Sequence, residues 1–151
     1  KSKLRETGAL LAGEFDGHIC FGERWYGFED GLYSAARLLE ILGTAHESVD
    51  AVFAPFPRTC STPELNLKAN ASRRTAVLEQ LADSGAFGAG TVTTIDGVRV
   101  DFEDGWGLVR AADAGEGLTL RFEADSEEAL ERIQDIFAAE LSRIAPELNF
   151  R

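Results

Sequence analysis

The chain has 151 residues, 44% of them hydrophobic and 27% charged, with a formal net charge of −11. This is globular composition, and the acidic balance excludes a nucleic-acid-binding module, which needs clustered Lys and Arg to release counterions. No stretch approaches the roughly 20 apolar residues that span a bilayer.

The basic start, Lys1-Ser2-Lys3-Leu4-Arg5, is followed only by the apolar run Ala9-Leu10-Leu11-Ala12, too short for a signal-peptide core. A cytoplasmic location without a membrane partner is therefore expected. Leu10 to Ala12 reads as a short apolar segment, Gly13-Glu14-Phe15-Asp16-Gly17-His18 as a Gly-rich turn, and Ile19-Cys20-Phe21 as a second short strand. Asp30 is placed to cap a helix carrying Leu32, Ala35, Ala36, Leu39 and Leu42, with Gly43 as its stop. Leu38 and Ile41 make that helix apolar nearly all round, which predicts deep burial. A further turn or two of helix carries Val49, Val52, Phe53 and Phe56 before Pro55 and Pro57. Residues 1–57 are marginal as an independent core and read as the end of a larger domain.

Residues 58–151 are self-sufficient. Leu65 and Leu67 alternate with polar residues as a half-buried strand should. A helix is predicted from about Ser72, with Val77, Leu78 and Leu81 inward and Gly85 as its stop. Thr91 to Ile95 and Val98 to Phe102 flank Asp96-Gly97, a strong hairpin signal. Trp106 to Arg110 and Leu118 to Glu123 add two strands, joined by a Gly-containing loop. Ser126 caps a last helix with the stripe Leu130, Ile133, Phe137, Leu141 and Ile144, closed by Pro146. The predicted class is α+β: an antiparallel four-stranded sheet with helices on one face, preceded by an incomplete α/β segment. Cys20 and Cys60 are too few for a disulfide framework or a structural zinc site and are expected reduced.

Two places carry candidate chemistry. In the turn 13–18, glycines on both sides allow close approach of a ligand. If the segment is extended, Glu14, Asp16 and His18 point the same way. The carboxylates then accept from vicinal sugar hydroxyls, while His18 donates or shuttles a proton. A solvated turn and a weak metal site are the competing readings. The second place is Arg110, at a strand end opening a loop. Its guanidinium is suited to a phosphate; an arginine paired with Asp113 or Glu116 is the alternative.

From Gly13–His18 onward the chain resembles the α-D-phosphohexomutases, and among them the bacterial phosphomannomutase/phosphoglucomutases. The resemblance continues through Glu23-Arg24-Trp25-Tyr26-Gly27-Phe28-Glu29-Asp30-Gly31, Ser61-Thr62-Pro63-Glu64, Asp96-Gly97-Val98-Arg99-Val100, Trp106-Gly107-Leu108-Val109-Arg110-Ala111 and Leu120-Arg121-Phe122-Glu123-Ala124. It implies four-domain enzymes that interconvert hexose 1- and 6-phosphates through a phosphoserine on the first domain. It also implies Mg2+ held by an Asp-rich loop on the second, with a hexose 1,6-bisphosphate activator. Residues 1–57 would be the C-terminal part of the third domain and residues 58–151 the fourth. The nucleophile and the Mg2+ loop would lie outside this chain, which would then be inactive alone and work with the remaining domains of its parent enzyme.

Within the resemblance, the sugar loop Gly-Glu-x-Ser-Gly-His gives Glu14 the sugar-hydroxyl role and His18 an auxiliary polar one. The phosphate loop Arg-x-Ser-Asn-Thr gives Arg110 the grip on the non-transferred phosphate of the phosphosugar. Asp16 stands where the sugar loop has Ser, and Ala112, Asp113 and Ala114 replace Ser, Asn and Thr. Two hydroxyls and an amide are lost, and Asp113 would cost about 4 kcal/mol beside a phosphate charge under surface screening. A non-catalytic phosphosugar-binding or interaction module with a degenerate phosphate loop is the alternative.

Overall fold

The computed structural model describes residues 2–14, 17–112 and 116–150. The chain divides into two compact units, 1–57 and 58–151.

The first unit contains α1 (Ser2–Thr7), β1 (Leu11–Gly13), β2 (Ile19–Phe21), α2 (Gly31–Thr44) and α3 (Val49–Phe53). β1 and β2 form an antiparallel hairpin in which Leu11 faces Phe21 and Gly13 faces Ile19. Asp30 caps α2, its Oδ1 accepting from the Tyr33 backbone N–H at 3.0 Å. The helix is held at the hairpin by aromatic packing: Tyr33 stacks on Trp25 with centroids 4.2 Å apart and meets Phe21 edge-on at 5.2 Å. Arg24, at φ 58°, forms a two-pronged ion pair with Glu40 at 3.0 and 2.9 Å. The guanidinium at that hydrogen-bond distance holds the Glu40 carboxyl below its usual range.

The expected deep burial of α2 is not found: none of its residues is buried, and Leu32 is 87% exposed. The reason is the amount of sheet beside it. Two three-residue strands cannot cover a helix whose apolar positions run most of the way round. The helix also continues past Gly43 to Thr44, with Ala45 as its cap.

The second unit is built on β3 (Cys60–Ser61), β4 (Leu65–Leu67), α4 (Ala71–Ser84), β5 (Thr91–Thr93), β6 (Val98–Phe102), β7 (Gly105–Ala111), β8 (Leu118–Ala124) and α5 (Glu127–Ile144). The sheet is antiparallel, as the sequence pattern predicts, but it has six strands rather than four, in the order β3-β8-β7-β6-β5, with β4 also on β8. Both β3 and β4 lie along β8, Cys60 facing Ala124 and Leu65 facing Leu120. Pro63, with no N–H to give the ladder, falls in the gap between them.

Alternate residues of the sheet face the helices. Val98, Val100, Val109, Leu118, Leu120 and Phe122 are each no more than 1% exposed and pack with Val77 and Leu81 of α4 and Ile133, Phe137 and Leu141 of α5. Each such side chain contributes about 1.5–3 kcal/mol on removal from water. Two helix caps form as capping chemistry predicts: Ser126 accepts from the Ala129 N–H at 3.2 Å and Gly85 closes α4. α4 starts at Ala71, close to the expected Ser72, and is capped by Asn70, whose side chain accepts from the Arg73 N–H at 2.9 Å. β5 stops at Thr93, short of the expected Ile95, leaving a longer turn that ends on Gly97 at φ 79°. A Cβ at Gly97 would lie 2.3 Å from the Val109 carbonyl oxygen, so this turn folds down onto β7 beside Arg110.

Candidate functional site

In the first unit the β1–β2 hairpin brings the two ends of the 13–18 segment together. Glu14 N–H donates to the His18 carbonyl at 2.9 Å, and Gly17 N–H returns to the Glu14 carbonyl at 3.1 Å. Gly17 takes φ 90°, which its lack of a Cβ permits. Pairing thus extends one step beyond Gly13 and Ile19, so Glu14 and His18 leave the hairpin side by side, as cross-strand neighbours do. Both are exposed. A carboxylate acceptor and an imidazole donor at this spacing suit neighbouring hydroxyls of one polyol. Asp16 lies outside the described residues.

In the second unit the site is built on the sheet face opposite the helices. Arg110 sits opposite Thr119, and Thr119 opposite Asn66, so three polar side chains cross β7, β8 and β4 in one row, about 5 Å from neighbour to neighbour. Thr119 is 7% exposed, and its hydroxyl donates to Asn66 Oδ1 at 2.9 Å. The Asn66 amide in turn donates to Glu64 Oε1 at 3.2 Å. Arg110 meets Asp96 at 3.4 Å, an ion pair in which Asp96 is 73% exposed. Such a pair is weak and easily exchanged for a stronger anion. Asp96 is a partner of Arg110 in addition to the Asp113 and Glu116 that the sequence offers, of which Asp113 lies outside the described residues. The Gly97 turn is what brings Asp96 to Arg110.

Beyond this row the face carries Arg99 and Arg121 on either side of Leu108. Arg99 packs over the Trp106 ring at 4.2 Å and binds Asp101 at 2.6 Å. Burial pushes the Arg121 guanidinium down from its ordinary value, with Glu123 and Glu64 acting in the opposite direction.

Next to the row lies a cleft of about 400 Å³ whose walls include Glu64, Asn66, Lys68, Ala112, Glu116 and Thr119. Ala112 thus lines this cleft; Asp113 and Ala114 lie outside the described residues. Lys68 carries no local signature of a site residue. The alternation of Leu65 and Leu67 puts Glu64, Asn66 and Lys68 on one face, but their nearness to the 112–117 loop depends on β4 pairing with β8, which no local pattern reveals. Among the described residues no group of three His, Cys, Asp or Glu side chains is arranged to hold a metal ion.

The architecture is that of an α+β C-terminal domain preceded by part of an α/β one, and relatives of known family share it. The family model described as phosphoglucomutase/phosphomannomutase, C-terminal domain, matches residues 64–140. The alpha/beta/alpha domain III of the same family matches residues 1–59. The chain belongs to the phosphoglucomutase/phosphomannomutase family. It is 51% identical over 149 residues to a phosphomannomutase/phosphoglucomutase of Pseudomonas putida, covering 99% of this chain and 32% of that protein. A phosphoglucomutase of Neisseria gonorrhoeae is 51% identical over 141 residues, 92% of this chain and 30% of its own length. The crystal structure of a phosphoglucomutase/phosphomannomutase family protein from Burkholderia thailandensis superposes with a TM-score of 0.82 at 48% identity, over 98% of this chain and 31% of that one. The chain thus spans about a third of the length of these relatives.

Proposed function

We propose that the chain is the sugar- and phosphate-recognition portion of a hexose phosphate mutase, a phosphosugar isomerase working by phosphoryl transfer. The observation that carries this reading is the pairing of two family domains in order, 1–59 and 64–140, with a Glu14/His18 hairpin in one and Arg110 at a strand end in the other. In this reading Glu14 accepts from sugar hydroxyls, His18 donates beside it, and Arg110 holds the phosphate that is not transferred. Their work is orientation: a substrate held in one pose meets a reacting group supplied by the rest of the enzyme without further entropic cost. The phosphoserine and the Mg2+ of the parent enzyme belong to other domains, so the 151-residue chain alone gives no turnover.

The test is calorimetric titration with mannose 1-phosphate at low ionic strength. Saturable binding that weakens about ten- to hundredfold in Arg110→Ala, the loss of a hydrogen-bonded charge, supports the reading. Binding indifferent to Arg110 refutes it. A second reading, a non-catalytic module, is favoured by one observation: Ala112 brings a methyl group to the cleft where the family loop has a hydroxyl. Silence in the titration selects it.

A further inference from the structure

We propose that Lys68 is a second phosphate ligand, acting with Arg110 across Gly117 and supplying a donor where Ala112 offers only a methyl group. The inference rests on the phosphosugar reading above and assigns a residue to it.

Ala112, residue 117 and Lys68 lie in one row at the end of the sheet. Ala112 N–H donates to the Gly117 carbonyl at 3.1 Å, which continues the β7–β8 pairing. Gly117 then packs on β4. A Cβ there would lie 2.3 Å from the Leu67 carbonyl oxygen and 3.7 Å from Lys68 Cα, at a φ of 144° that disfavours side chains. Only glycine fits. Between the Ala112 methyl and the Lys68 stem, two strand spacings or about 10 Å apart, the row itself therefore carries no side chain at Gly117. That gap is part of the cleft, and Arg110 and Thr119 stand one pleat further along the same face.

Lys68 is exposed and takes part in none of the ion pairs among the described residues. An ammonium on a four-carbon stem is a mobile point charge with three donors. Its stem is long enough to bring that charge over Gly117, where a ligand phosphate can be met from the Lys68 side. Glu64 and Glu116 also line the cleft. They oppose a bare anion but accept hydroxyl hydrogens, so the cleft favours a phosphate monoester of a polyol over inorganic phosphate.

The experiment is calorimetry on the 151-residue chain with glucose 1-phosphate, inorganic phosphate and glucose in turn, using the parent chain, Lys68→Met, Lys68→Arg and Arg110→Ala. Lys68→Met should weaken glucose 1-phosphate about ten- to hundredfold and flatten the salt dependence of binding. Lys68→Arg should keep most of the affinity, and inorganic phosphate should bind more weakly than the sugar phosphate. Lys68→Met binding like the parent while Arg110→Ala fails would overturn the Lys68 assignment and leave the phosphosugar reading standing. No binding by the parent chain would overturn both. Because Lys68 is exposed, an unchanged thermal midpoint in Lys68→Met serves as the folding control.

Discussion

Replacing Gly107 by Ala should destabilise the C-terminal unit through a single identifiable collision. Gly107 lies on the core face of β7, and a Cβ there would come 2.4 and 2.8 Å from Phe137 ring atoms and 2.9 Å from Phe122. Phe137 cannot swing aside, because it is fully buried and its ring sits 5.0 Å from Phe87 and 5.3 Å from Phe122, centroid to centroid. Overpacking of this kind costs about 1–3 kcal/mol. For a unit of this size each kcal/mol lowers the unfolding midpoint by about 4–8 °C. Urea and thermal unfolding followed by circular dichroism measure the effect, and a double-mutant cycle with Phe137→Leu tests its cause. Phe137→Leu alone is destabilising, but in the Gly107→Ala background it relieves the clash, so the two changes together should cost less than their sum. A Gly107→Ala chain within about 0.5 kcal/mol of the parent, or purely additive costs in the cycle, would refute the packing described for β7 and α5.

The remaining predictions concern charge. Glu140 is 7% exposed, and Arg143, hydrogen-bonded to it at 2.7 Å, holds its carboxyl below the ordinary range, with the Ala86 backbone adding to the effect. A depressed folded-state pKa stabilises the fold above the unfolded value of about 4.3 and loses that contribution as pH falls through the folded value. Glu140→Gln should therefore lower stability at pH 7 by about 1 kcal/mol, the modest figure reflecting a half-exposed Arg143, and the difference should shrink in acid. Equal losses at both pH values would contradict it. A hydrogen bond to Glu127, then burial, push the Cys60 thiol up, so alkylation at pH 8 followed by mass spectrometry should be slow at Cys60 and faster in Glu127→Gln. No change on removing that carboxylate would deny the contact.

What the sequence disclosed follows a physical division. Capping and periodicity are local, so α5 with its Ser126 cap and its buried stripe of Leu130, Ile133, Phe137 and Leu141 is legible residue by residue. The alternation in β6, β7 and β8 is equally plain. Strand partnership is not local. The two short strands on β8, the folding of the Gly97 turn onto β7, and the arrival of Asp96 at Arg110 all arise from long-range pairing, so neither the six-stranded sheet nor the place of Lys68 has a local signature. The exposure of α2 has a related cause: apolar residues all round a helix report what it is able to bury, not what lies beside it. At the candidate site the residue types were visible, Glu14 with His18 and Arg110 above all, whereas the cleft beside Ala112 depends on a glycine at 117 pressed against Leu67.

The central claim is that the sheet face around Arg110 holds the phosphate of a phosphosugar. A crystal structure of the chain with glucose 1-phosphate tests it most directly. The account predicts the phosphate within hydrogen-bond distance of Arg110, over Gly117 and within reach of Lys68, with Asp96 released from the arginine. A phosphate bound on another face, or Arg110 still paired with Asp96 in the presence of saturating ligand, would contradict it.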